Sequence, residues 1–411
     1  MRIGIYGGSF NPPHLGHMAA ARAALSSLGL DKLVLVPNSQ PPHKKLTPGS
    51  PDPQQRMAMT ALTADQLGRQ TEVWDVELRR EGKSYTVDTL EQAVERWPED
   101  ELWLLMGSDM FLSLEDWHLP QRIMELAGIC AFARTREDME RCRIHCTTLA
   151  QRYHARVQVI EIPDLREVSS TQIRSLLPQG EGMEHLSQPV YGYILREHLY
   201  HTHANLAQLS VDELRCVSNS MVKAKRLAHI KGTEEEAVRL ARRWGADVDQ
   251  MRRAGILHDC TKYFPLDEHL AICDRYGFPL DEMERRSEKL LHSKSGAALA
   301  QHVFGQEPII CQAISYHTTG RDHMSLEEMI LYMADYIEPN RVFDGVEEMR
   351  VLAYEDLKAA MLMGVEMSME DMRERNQPIH TNTLHAYHWL QEETSIATPL
   401  TGDDERRNNH C

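Results

Sequence analysis

The chain has 411 residues, 42% of them apolar, with a formal net charge of −16 and 21 histidines. At about 100–200 residues per domain this length implies two or three domains, and no apolar run approaches the roughly 20 residues of a membrane helix, so no membrane partner is expected. Residues 1–203 carry net −5 and residues 204–411 net −11; such a surface argues against long nucleic acid, whose binding rests on phosphate neutralisation, but leaves small nucleotides open.

The opening MRIGIYGG lacks the charged and apolar regions of a signal peptide and reads as a first strand. Further strands are expected at Leu33–Val36, Glu72–Val76, Leu102–Met106, Ile129–Ala133 and Val157–Ile162, following the first at Ile3–Tyr6. Amphipathic stretches lie between them, such as Leu15–Leu28, Gln54–Leu67 and Thr86–Trp97. This alternation implies an α/β domain over residues 1–200: a parallel, Rossmann-like sheet with ligands at the strands' carboxyl ends. The eight cysteines are scattered with no CxxC pair, and Cys142, His145 and Cys146 lack a second ligand pair, so reduced thiols in a cytoplasmic enzyme are expected. Tyr200–Ser210 is polar and reads as a linker. Residues 211–390 show only helical periodicity broken by Gly and Pro, implying a separate all-α bundle, and 391–411 form a polar tail. No feature specifies an oligomeric state.

GGSFNPPHLGH, residues 7–17, follows the first strand directly. Its glycines permit close backbone approach to a ligand, and the helix beginning near Leu15 offers free N–H groups to phosphate. His14 and His17, three apart at that helix start, can donate hydrogen bonds to a triphosphate and stabilise departing pyrophosphate. GxxxxGK[ST] and GxGxxG are absent, which disfavours kinase-like ATPases and dehydrogenases. With VSSTQIRSLL (168–177), this string resembles the nucleotidyltransferase superfamily and, within it, bacterial nicotinate-nucleotide adenylyltransferases, over about residues 1–198. The resemblance implies ATP contacts at Gly8, Ser9, Phe10, His14, His17, Gly107, Ser170, Thr171 and Arg174. It also implies catalytic roles for His14, His17 and Arg174. PPHKK, KSYTVDTL and MGSDMFLSLEDW match further family segments. These imply mononucleotide contacts at Lys44, Tyr85, Thr86, Asp109 and Trp117, with Arg134 as a looser correspondence. The implied reaction is in-line attack of a mononucleotide phosphate on the α-phosphorus of ATP, with Mg²⁺ carried on the ATP phosphates.

In the second half an ordered set of His229, His258–Asp259, His292, His317 and Asp335 lies in or beside apolar helical stretches. A helical bundle can bring such residues together, and six imidazole and carboxylate ligands suit two iron, manganese or zinc ions bridged by Asp259. The set, with HTTGR and ADYIEPNR, resembles the HD-domain phosphohydrolases of the YqeK-type branch, which cleave diadenosine tetraphosphate symmetrically to two ADP. By that resemblance Lys262 acts on the leaving ADP, while Arg321 and Arg341 bind outer phosphates or the second nucleotide. A more apolar helix than AHIKGT is expected after the first ligand. Alternatives stay open: another adenylyltransferase using nicotinamide mononucleotide or phosphopantetheine, a silent nucleotide sensor, and a regulatory helical module whose metals are structural.

Overall fold

A computed structural model describes residues 1–39, 48–80, 82–162 and 169–396, and the chain divides into two compact units, Met1–Ala204 and Asn205–Cys411. In the first, strands β1 (Arg2–Gly8), β2 (Lys32–Pro37), β3 (Thr71–Val73), β4 (Glu101–Gly107), β5 (Gly128–Ala133) and β6 (Val157–Glu161) form one sheet. All pairings are parallel, in the order β3-β2-β1-β4-β5-β6. Helices α1 (Leu15–Ser27), α2 (Pro53–Leu67), α3 (Thr86–Arg96), α4 (Ser108–Leu112), α5 (Pro120–Leu126), α6 (Arg136–Tyr153), α7 (Ser170–Leu176) and α8 (Gln188–Arg196) complete the unit. Alternate residues of β1 and β4 feed two cores: Ile3, Ile5, Leu102, Leu104 and Met106 on one face, Tyr6, Trp103 and Leu105 on the other. That two-sided burial is why these strands read as continuous apolar runs. The direction in which successive strands are added reverses between β1 and β4, which opens a crevice at their carboxyl ends.

Three readings differ by more than a residue or two, the first being the polar tail expected from 391: the helix Thr381–Ile396 continues into it. β3 ends at Val73 rather than Val76, because Asp75 O accepts from the Leu78 and Arg79 amides and turns the edge strand away. Leu199, Tyr200 and Thr202, read as the edge or start of a linker, are buried in the first unit.

The second unit is helical throughout its described residues: α9 (Val211–Asn219), α10 (Ala224–Trp244), α11 (Val248–Leu257), α12 (Leu266–Arg275), α13 (Glu288–His302), α14 (Pro308–Tyr316), α15 (Leu326–Ile337), α16 (Val346–Glu355), α17 (Leu357–Glu374) and α18 (Thr381–Ile396). Gly255 lets α11 press against α10, where a Cβ would stand 2.7 Å from Glu234 Cα. No helix among the described residues is long and apolar enough to cross a membrane.

Candidate active sites

The crevice at the switch point is a cavity of about 600 Å³ lined by the ends of β1 and β4 and the starts of α1, α3 and α4. Gly7 and Gly107 face it, and a Cβ at either would meet nothing within 4 Å, so no neighbour among the described residues requires these glycines. Open space there leaves close ligand approach as their physical use.

His14 is the N-cap of α1 and forms a reciprocal cap with His17. The Gly16 amide donates to His14 Nδ1 and the His14 amide donates to His17 Nδ1, both at 3.1 Å. A ring nitrogen that accepts carries no proton, so each neutral imidazole bears its proton on Nε2. Burial, reinforced by Arg134, pushes His14 down to about 4. Burial and the His14 ring push His17 well below its usual range. The site therefore holds two neutral Nε2–H donors whose orientation is fixed by backbone. Phe10 lies beneath them, buried, with its ring 5.2 Å from that of His17; it supports the cradle and does not line the cavity.

Arg174 lines the same cavity, and its Nη1 donates to Asn11 O at 2.7 Å. Ser170 Oγ donates to Pro12 O, and Thr171 Oγ1 accepts from Arg174 Nη2. These two hydroxyls brace the loop and the arginine and do not line the cavity. Gly8, Ser9, Tyr85, Thr86, Asp109, Trp117 and Arg134 do line it; Lys44 lies outside the described residues.

In the helical unit, α10 supplies His229, α13 His292 and α15 Asp335, while His258 and His317 cap the ends of α11 and α14 and Asp259 follows in the turn. Each of His258, His292 and His317 donates Nδ1–H to the carbonyl three residues earlier, at 2.7–2.8 Å. His229 Nδ1 pairs with Glu338 Oε1 at 3.1 Å. All four Nε2 lone pairs are thereby turned inward. His229 Nε2 lies 3.2 Å from His258 Nε2 and 3.0 Å from Asp335 Oδ1. His292 Nε2 lies 3.1 Å from both His317 Nε2 and Asp259 Oδ1. Asp259 faces the first group with Oδ2 and the second with Oδ1.

These contacts bring acceptors face to face. Asp259 Oδ1 is buried without a hydrogen-bond donor among the described residues, since the His292 proton is committed to Lys289 O. Burial holds His292 down to about 3 and also lowers His317, keeping both neutral. Burial alone would raise the two aspartates, but the guanidiniums of Arg226 beside Asp259 and Arg341 beside Asp335 favour their ionised forms. Converging lone pairs and anions of this kind fit two cations, one per group, with Asp259 between them.

The description "Cytidylyltransferase-like" belongs to the family model matching residues 5–176, and "HD domain" to the one matching residues 226–340. A symmetrical bis(5'-nucleosyl)-tetraphosphatase of Bacillus subtilis is 39% identical over 180 residues, 44% of this chain and 96% of that protein. A probable nicotinate-nucleotide adenylyltransferase of Shewanella sp. is 39% identical over 214 residues, 49% of this chain and 99% of that protein. The chain belongs to both families. A solved structure of a predicted HD superfamily hydrolase from Clostridium acetobutylicum is 37% identical and covers 45% of this chain and 99% of that one, with a TM-score of 0.44.

In the HD half several site residues escaped the sequence reading. Arg226, one turn before His229, donates Nε to Asp259 Oδ2 at 2.5 Å. Glu338, buried, orients His229 and is itself held by the Asn340 amide at 2.7 Å and its Nδ2 at 2.8 Å. Gly232 makes room for it: a Cβ there would stand 2.3 Å from Glu338 Oε2. The polar AHIKGT segment, expected to be more apolar, thus encloses a carboxylate. Arg341 Nη2 binds Asp335 Oδ1 at 2.7 Å and Lys262 Nζ lies 3.0 Å from His292 Nε2, both at the site. Arg321 differs: it makes a two-pronged pair with buried Glu328, both contacts 3.0 Å, which explains its presence structurally. A third cluster, Asp281, Glu284 and His380, has the opposite tautomer logic. His380 Nδ1 accepts from the Asn382 amide, so Nε2 carries the proton and faces Asp281 Oδ2 at 2.7 Å. That is a histidine–carboxylate contact at the start of α18, not a lone-pair trap.

Proposed function

We propose that the chain is bifunctional. Its first domain joins ATP to nicotinate mononucleotide, giving the deamido-dinucleotide and pyrophosphate, and its second hydrolyses diadenosine tetraphosphate to two ADP. The observation supporting the first activity is the pair of backbone-locked Nε2–H donors on the wall Arg174 shares. In this reading the mononucleotide phosphate oxygen forms a bond to the α-phosphorus of ATP as the bond to the β-phosphate bridge oxygen breaks. Pyrophosphate departs with the negative charge, and Mg²⁺ travels on the ATP phosphates. His14, His17 and Arg174 stabilise that charge without transferring a proton, and their pre-set orientation spares reorganisation. Tyr85, Thr86, Asp109 and Trp117 hold the acceptor, Trp117 offering its ring face to the pyridine.

For the second domain the supporting observation is the four inward Nε2 lone pairs around buried Asp259 and partly buried Asp335. His229, His258, Asp335 and Asp259 would hold one ion, and Asp259, His292 and His317 the other. Imidazole with carboxylate suits iron, with manganese or zinc as alternatives. The ions would supply Lewis acidity at the scissile phosphoanhydride. Arg226, Arg341 and Lys262, each partly exposed beside the buried ligands, meet the polyphosphate, and Lys262 neutralises the departing ADP. The fit of these donors favours this over a module that merely binds nucleotide.

The test is product identification with the intact chain. ATP with nicotinate mononucleotide should release pyrophosphate faster than ATP with the nicotinamide form, and diadenosine tetraphosphate with added metal should give ADP alone. AMP plus ATP, or no product, would sink the second assignment; no pyrophosphate would sink the first.

A further inference from the structure

The crevice of the first domain is braced by a segment that the transfer reaction itself does not need to touch. Between α8 and the end of the unit, His198, Tyr200 and His201 all take left-handed backbone, with φ of 50°, 54° and 59°. Side-chain-bearing residues rarely adopt that region, so three within four positions mark a segment held by its contacts. What the geometry achieves is to bury Tyr200 and bring its hydroxyl to Asn11 Oδ1 at 2.7 Å. Burial raises the phenol far above its usual value, so the hydroxyl remains a donor.

Asn11 is 2% exposed and its polar groups are in use. Oδ1 accepts from Tyr200, Nδ2 donates to Ser50 Oγ at 2.8 Å, and its carbonyl accepts from Arg174 Nη1 at 2.7 Å. Asn11 is also the residue from which the chain passes through Pro12 and Pro13 to the His14 cap. Its placement therefore sets the guanidinium.

We propose that Tyr200 is a positioning residue for adenylyl transfer: through Asn11 it fixes Arg174 in the arrangement that the leaving pyrophosphate requires. This rests on the adenylyltransferase reading above. Tyr200 itself stands five residues before Asn205, where the second unit begins.

Tyr200→Phe in the intact chain removes one oxygen and keeps the ring. Losing one buried hydrogen bond should lower kcat for transfer about tenfold, with KM for nicotinate mononucleotide unchanged. An unchanged unfolding midpoint and circular dichroism spectrum of the chain report a folded first domain, and hydrolysis of diadenosine tetraphosphate by the second domain should also be unchanged. Because Tyr200 acts through the arginine, Arg174→Lys combined with Tyr200→Phe should be no slower than Arg174→Lys alone. Full multiplication of the two losses overturns the relay. So does parent-like transfer by Tyr200→Phe, or a lost unfolding transition of the first domain, which would make the hydroxyl a requirement of the fold. A parent chain that releases no pyrophosphate overturns instead the function on which the inference rests.

Discussion

Gly232→Ala adds one methyl group to α10 at a point where the structure has no room for it. The new Cβ would stand 2.3 Å from Glu338 Oε2 and 3.1 Å from Asn340 Nδ2. The carboxylate cannot swing aside cheaply, since it is buried and bound by His229 at 3.1 Å and by Asn340 at 2.7 and 2.8 Å. Clearing the methyl group requires a shift of roughly 1 Å, enough to break the bond that turns His229 Nε2 inward. Losing such an outer partner typically costs 10–100-fold in metal affinity. Global stability should move little, because replacing a helical glycine gains about 1 kcal/mol while the lost hydrogen bond costs about as much. Mn²⁺ titration by calorimetry, with thermal unfolding of the metal-free chain, separates the two effects. Weaker binding at the His229 group with a nearly unchanged midpoint is expected. Parent-like affinity for both ions would refute the claim that Glu338 orients the ligand.

His17→Ala should cut adenylyl transfer by on the order of 10²-fold or more, the usual cost of one oriented donor to a developing anion, while tetraphosphate hydrolysis continues. His258→Ala should bind fewer ions and lose hydrolysis but retain transfer, as elemental analysis and the two product assays would show. His14 gives a pH signature. Its folded value near 4 lies below the ordinary 6.5, so the unfolded chain takes up the proton first. The contribution is full above pH 6.5 and drains away as pH falls towards 4, on the order of 3 kcal/mol in all. Urea unfolding at pH 7 and pH 5 should therefore show a larger loss in the parent than in His14→Asn; equal losses would count against a buried neutral ring.

Much of this was legible because it is local. The strand runs, the GGSFNPPHLGH turn and the spacing of His14 and His17 are contiguous in the chain, and the ordered histidines and aspartates stood out as residue types in apolar helices. What stayed hidden depends on contacts made across sequence. Gly232 and Glu338 explain each other only once α10 packs on the end of α15. Arg226 acquires a role only once Asp259 is placed beside it. Tyr200 reads as linker because its partner is 189 residues away. Arg321 illustrates the reverse: a cation beside a metal motif suggests phosphate, yet a buried glutamate seven residues later claims it. Tautomers lie outside sequence reasoning altogether, although they separate the lone-pair trap from the His380 contact.

The central claim is that two imidazoles and one guanidinium, drawn from opposite ends of the first domain, act on one polyphosphate. A crystal structure of the intact chain with a non-hydrolysable ATP analogue tests it most directly. Nε2 of His14 and of His17 and the Arg174 guanidinium should all lie within hydrogen-bonding distance of the analogue's phosphates. A nucleotide bound with its phosphates away from those rings, or with Arg174 turned out of the cavity, would contradict it.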